Sequence, residues 1–105
     1  MEQEKTIFLQ YMGDSPKTRI LDFLINGRMF DYSLTEIANK SGVSWSTFKR
    51  VWPSFITQKL VEHTRDIGKA KLFKLNFENP IVEKILELRE KILSEAQFKE
   101  IKVIA

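Results

Sequence analysis

Apolar residues along this chain recur first at helical spacing, then by alternation, then again at helical spacing. Pro16 follows a capping Ser15, and Ile20, Leu21, Phe23 and Leu24 lie on one side of a helix over 16–26. Asn26-Gly27 reads as its left-handed C-terminal cap. Upstream, Ile7, Phe8 and Tyr11 fit a short helix, while positions 7, 9 and 11 fit a strand. Ser33-Leu34-Thr35-Glu36 is a capping box, opening a second helix with Leu34, Ile37 and Ala38 inward and a stop at Ser41-Gly42. Ser44 caps a third helix, about 45–58, with Phe48, Val51, Trp52, Phe55 and Ile56 facing the core.

The period then falls to two. Leu60–Arg65 and Lys71–Leu75 read as strands joined around Asp66–Ala70, a hairpin with Gly68 near its tip. Asn79-Pro80 starts a long helix whose apolar residues 81, 85, 88 and 92 alternate steps of four and three, a coiled-coil-like seam flanked by 82, 86, 93 and 96. Phe98–Ala105 either continues that helix or leaves it as a strand. No repeat or linker divides the chain, so residues 1–105 read as one domain, with a core at 16–75 and a terminal helix at 80–97.

Composition removes several chemistries. The 105 residues include no Cys, which excludes disulfides, thiolate metal sites and a Cys nucleophile. The single His, His63, sits in a strand, where a half-buried structural residue is the plain reading. The four Gly are scattered and form no phosphate loop, and no ligands cluster at zinc-binding spacing. We therefore read no enzyme, no metal and no cofactor. No apolar run is long enough for a membrane span, and no signal peptide opens the chain, so a soluble, cytoplasmic protein is expected.

Helix, short strand near Tyr32, two helices joined by a tight Gly-containing turn, then a hairpin is the order of a winged helix-turn-helix. Over residues 16–89 the sequence resembles MarR-type and ArsR-type winged-helix transcription regulators, especially small archaeal-like members. The resemblance is carried by SLTEIANKSGVSWSTFKRVWPSFITQKLVEHTRDIGKAKLFKL, with Ala38, Gly42, Val43 and Ser44 across the turn and Ser46 and Thr47 opening the next helix. It departs from the family pattern at Lys59, where Gly usually precedes the first wing strand, so either Lys59 takes a strained left-handed conformation or the helix exits differently. It departs again at Pro53, which removes a bond to the Lys49 carbonyl and should kink the helix without breaking it. The fold class expected is mainly α with a small β-wing and a long C-terminal helix.

Net charge is only +3, yet it is unevenly spread. Residues 40–75 carry eight cations against two carboxylates, a balance of +6, and the remainder is −3. Duplex DNA suits such a face, since Lys and Arg on phosphates release counterions. By helical spacing Trp45, Ser46, Lys49 and Arg50 project opposite the core stripe. Ser46, Lys49 and Arg50 are assigned to groove contacts, Arg50 either bidentate to guanine or paired with phosphate. Ser44 and Thr47 serve as caps or phosphate contacts. Trp45 either touches a thymine methyl or sugar, or folds back as a hydrophobic staple. The resemblance implies that Arg65, Lys69 and Lys71 in the wing, 61–75, meet the backbone or minor groove. It also implies dimerisation through the terminal helix, for which Ile81, Ile85, Leu88 and Ile92 supply the face. The expectation is a homodimeric, sequence-specific double-stranded DNA-binding regulator. The alternative is a winged-helix module that docks protein.

Overall fold

The computed structural model describes the backbone of residues 5–104 and the side chains of residues 5–97. Its elements run α1 (Ile7–Met12), α2 (Pro16–Asn26), β1 (Tyr32–Ser33), α3 (Leu34–Lys40), α4 (Trp45–Thr57), β2 (Val61–Ile67), β3 (Ala70–Leu75) and α5 (Pro80–Ile104). This is a winged helix-turn-helix with a long C-terminal helix. The ambiguous segment at 7–11 is helical, capped by Thr6, whose hydroxyl accepts from Leu9 N at 3.2 Å. The chain past Phe98 continues the helix to Ile104 instead of leaving it as a strand.

Local chemistry sets most boundaries. Ser15 accepts from Thr18 N and the Thr18 hydroxyl accepts from Ser15 N, so both ends of the cap are satisfied. Ser33 and Glu36 make the same reciprocal pair for α3. Gly27 departs from expectation: its φ is −100°, so it is no left-handed cap. Its reason is space. A Cβ there would collide with the Tyr32 hydroxyl and lie 3.0 Å from the ring carbon Cζ.

Helices α2, α3 and α4 pack on one another, and the sheet, in the order β1-β3-β2, closes over them. Ile20, Leu24, Ile25, Ile37, Phe48, Phe55, Leu75 and Val82 are fully buried. Asp22 is the one buried charged residue among the described ones. It accepts from the Thr6 hydroxyl at 3.1 Å and lies 3.5 Å from Asn26 Nδ2, while Asn26 Oδ1 accepts from Arg89. That chain of contacts ties α1, α2 and α5 together. Burial raises the Asp22 carboxyl above its ordinary value, against the pull of Thr6 and Arg89.

The end of α4 shows why Gly is dispensable before the wing. Lys59 takes the left-handed conformation, φ 55°, that Gly usually supplies. Its carbonyl accepts from Asn76 Nδ2 at 3.1 Å and Asn79 Nδ2 at 3.0 Å, and Asn79 also caps α5 by accepting from Ile81 N at 2.9 Å. Two Asn side chains therefore hold the strained residue and lock the exit of α4 to the start of α5. Left-handed L-residues cost about 1–2 kcal/mol, and Gly returns about 0.4–1 kcal/mol of that as unfolded-chain entropy. Lys59→Gly should therefore raise stability by roughly 0.5–1 kcal/mol, read as a higher urea midpoint with an unchanged slope.

The hairpin is longer and tighter than the sequence indicated. Strands extend to Ile67 and resume at Ala70, leaving a two-residue turn with Gly68 at φ 60° in its first central position. The register shifts between His63 and Arg65, so Thr64 is an extra residue in β2.

Candidate nucleic-acid interface

The face of α4 away from the core begins at its cap. Ser44 accepts from Thr47 N at 3.3 Å and donates to the Thr47 hydroxyl at 3.0 Å, so both of these side chains are occupied in starting the helix. Ser46, Lys49 and Arg50 are exposed on the outward side. Trp45 lies at the border. Its ring stacks on Phe48 at 5.5 Å and 15°, beginning a ladder through Trp52 to Phe55, yet it stays 44% exposed. One face of the indole is thus a core contact and the other is available.

Two expectations about α4 meet different outcomes. The helix runs unbroken through Pro53, which is exposed, so its ring faces solvent and not a packed neighbour. Ile56, expected inward, is exposed instead. The buried stripe of α4 is Phe48, Trp52 and Phe55, with Val51 partly buried on its other side, and the 100° step of a helix carries Ile56 past Trp52 toward Lys49.

Arg19 sets the turn that launches α4. Its guanidinium is forked onto Asp14, Nη2 to Oδ2 at 2.9 Å, and Nη1 donates to the Gly42 carbonyl at 3.2 Å. Gly42 has φ 71°, and a Cβ there would come within 3.3 Å of that Nη1. Sequence pattern could not show this bond, because 23 residues separate its partners.

In the wing, Lys69 occupies the turn and Lys71 lies beside it on β3. Arg65 is placed differently from Lys69 and Lys71. It makes a bidentate pair with Asp31, Nε to Oδ2 at 3.0 Å and Nη2 to Oδ1 at 3.1 Å. Lys74 is similarly drawn to Glu62, at 3.8 Å. Among the described residues no carboxylate pairs with Lys40, Lys49, Arg50, Lys59, Lys69 or Lys71. Lys49 and Arg50 on α4 and Lys69 and Lys71 on the wing therefore keep exposed positive charge after the internal pairs are removed. His63 is more exposed than expected: its ring sits 5.5 Å from that of Phe73, and Nε2 meets Asp66 at 2.6 Å.

The Arg65 guanidinium, and then the Thr64 hydroxyl, lower the Asp31 carboxyl from 3.8 to about 2. A depressed folded-state value means the pair stabilises the fold above the ordinary carboxylate range, and that contribution is lost as pH falls through about 2. Wing amide shifts should accordingly show a step centred near pH 2 that Asp31→Asn lacks.

The terminal helix divides the expected dimer face. Ile81 and Leu88 are exposed, at 60% and 42%, and Ile85 is partly buried against the core. Ile92, at 5%, belongs to the chain's own core, as does Val82, expected only as a flank. Helix α5 packs on α1 and turns its 82 and 92 positions into the core, leaving an open apolar surface along Pro80, Ile81, Lys84, Ile85 and Leu88. No helix among the described residues is long and apolar enough to cross a membrane, and no group of three or more His, Cys, Asp or Glu is placed to hold a metal ion.

No family model and no curated protein matches the chain. Solved structures do. A mutant of Lactococcus lactis ZitR in apo form is 18% identical, with a TM-score of 0.65 over 90% of this chain and 74% of its own. MepR, a transcription regulator of the Staphylococcus aureus multidrug efflux pump MepA, is 15% identical, with a TM-score of 0.68 over 92% of this chain and 70% of its own. The homodimeric winged helix-turn-helix DNA-binding domain of Mb0332 from Mycobacterium bovis, described as a possible ArsR-family transcriptional regulator, is 19% identical, with a TM-score of 0.58 over 87% of this chain and 79% of its own. At these identities the likeness is one of architecture, and the architecture is the winged helix-turn-helix.

Proposed function

We propose that this protein is a sequence-specific double-stranded DNA-binding regulator that works as a homodimer. The carrying observation is the coincidence of exposed Lys49 and Arg50 on the outward face of α4 with exposed Lys69 and Lys71 on the wing, none of them paired with a carboxylate among the described residues. A helix of 13 residues with a polar outward face fits the major groove, and a cationic hairpin beside it suits phosphate and the minor groove. A DNA complex of L. lactis ZitR, 18% identical with a TM-score of 0.59 over 80% of this chain and 60% of its own, supports the reading by analogy of fold. Ser46 and Trp45 would contribute groove contacts, with Ser44 and Thr47 presenting the helix start to phosphate.

Binding to duplex DNA across a salt titration tests this. Affinity should fall steeply with salt, with a log–log slope of about −0.9 for each phosphate neutralised. Absence of binding at low salt would leave the protein-docking alternative standing.

Dimerisation is assigned to Ile81, Ile85 and Leu88, with Ile92 kept in the monomer core. Two-fold pairing would set the recognition helices about 34 Å apart, one turn of DNA. Leu88→Glu, at an exposed position, should yield a folded monomer by light scattering and weaken duplex binding. An unaltered dimer in that variant would place the interface elsewhere.

A further inference from the structure

Asp31 has no obvious part in nucleic-acid binding. It is an acid next to a basic wing, outside both α4 and the hairpin. Yet its carboxylate receives three donors from two successive wing residues: Thr64 Oγ1 at 2.6 Å, Arg65 Nε at 3.0 Å and Arg65 Nη2 at 3.1 Å. Only 17% of its side chain is exposed, against 61% for that of Arg65.

The position of those donors matters more than their number. His63 pairs with Phe73 and Arg65 with Leu72, so Thr64 is the residue without an opposite number. Such a bulge bends its strand and increases the local twist, and it re-aims whatever lies beyond. On the near side of Thr64 the wing is anchored by buried Val61, Phe73 and Leu75. On the far side every residue of β2, the turn and the start of β3 up to Lys71 is exposed. The outer wing therefore has little core packing of its own, and its direction depends on the conformation at the bulge. Asp31 is in turn fixed to the helix-turn-helix. It precedes Tyr32 and Ser33, which pair with Phe73 and Leu72, and Ser33 caps α3.

We propose that Asp31 is a positioning residue for the wing. Its carboxylate clamps the Thr64 bulge to the helix-turn-helix and so fixes the direction in which Lys69 and Lys71 are presented. Arg65 then serves this clamp instead of contacting DNA. The inference rests on the nucleic-acid reading for its purpose, and on geometry alone for the clamp.

The clamp and simple electrostatics predict opposite signs. Removing an acid from a basic face should strengthen DNA binding if charge alone matters, and should do so equally in Asp31→Ala and Asp31→Asn. The clamp predicts weaker binding in Asp31→Ala, about tenfold, with a shallower salt slope as lysine–phosphate contacts are lost. It also predicts partial rescue in Asp31→Asn, whose amide oxygen still accepts from Thr64. Hydrogen exchange at the amides of residues 67–70 should accelerate in the free Asp31→Ala protein, while circular dichroism stays that of the folded chain. Should Asp31→Ala fail to fold, Asp31→Asn carries both measurements against the unaltered protein. Binding as tight as or tighter than the unaltered chain, or unchanged exchange at 67–70, overturns the clamp. Failure of the unaltered chain to bind any duplex overturns the nucleic-acid reading, and the exchange result still judges the clamp.

Discussion

A Lys49→Ala, Arg50→Ala double variant should lose about two orders of magnitude of specific duplex affinity while unfolding at the same denaturant midpoint. Both side chains are exposed and have no carboxylate partner among the described residues, so neither truncation opens a cavity or orphans a buried charge. A bidentate base contact carries about 1–3 kcal/mol of discrimination, and each lost phosphate contact lowers the salt slope by about 0.9. The two variants made singly divide these roles. An Arg50 that reads guanine relaxes sequence preference when removed, whereas an Arg50 on phosphate weakens all sequences alike and flattens the slope. Equal affinity for the double variant and the unaltered chain would remove α4 as the reading element. Lys74→Ala is the internal comparison, because that ammonium lies near Glu62 and over the Phe77 ring and should change binding little.

The largest effect on stability is expected at Phe55. It is fully buried, stacked on Trp52 at 5.3 Å, with the Lys17 ammonium 5.8 Å from its ring centroid. Burying an aromatic ring and then deleting it costs about 3–5 kcal/mol, a large part of the roughly 5–15 kcal/mol available to a domain. Phe55→Ala should lower Tm by about 15 °C or more, and a loss below about 1 kcal/mol would mean the site collapses around the gap. Trp45→Ala is the contrasting variant. Its ring is at the exposed end of the same aromatic ladder, so its truncation should disturb the fold much less. The ladder also explains why α4 tolerates Pro53. Packing on one face holds the helix, while the missing bond falls on the exposed face, where water can satisfy the Lys49 carbonyl.

Several parts of the fold were legible because their causes are local. Ser15-Pro16, Ser33 with Glu36, and Ser44 each satisfy helix-end donors within three residues, so the starts of three helices can be read directly. The hairpin announced itself through alternation around Gly68. Lys59 is instructive, since its place in the pattern leaves open a strained left-handed residue or a different helix exit, and the Asn76 and Asn79 amides that hold the left-handed form lie 17 and 20 residues away. Gly27 does end α2, yet its constraint is the Tyr32 ring and not its own φ.

The candidate site divides in the same manner. Periodicity separated Lys49 and Arg50 from Phe48 and Phe55, because a helix fixes which residues share a face. It could not orient a stripe two rows wide. In α5 the spacing of 81, 85, 88 and 92 described a seam, yet the domain takes Val82 and Ile92 and leaves Ile81 and Leu88 outside. Periodicity measures the width of an apolar face, and packing selects the edge that is covered.

By itself the sequence determined the order of elements, the helix caps, the basic span at 40–75 and the absence of cysteine chemistry, all properties of composition or of neighbours a few residues apart. Folding settled which of those cations remain unpaired. Arg65 looked equivalent to Lys69 and Lys71 until Asp31, 34 residues earlier, proved to hold it. An ion pair depends on distance in space, and chain proximity says nothing about partners that β1 and the wing bring together only when the sheet closes.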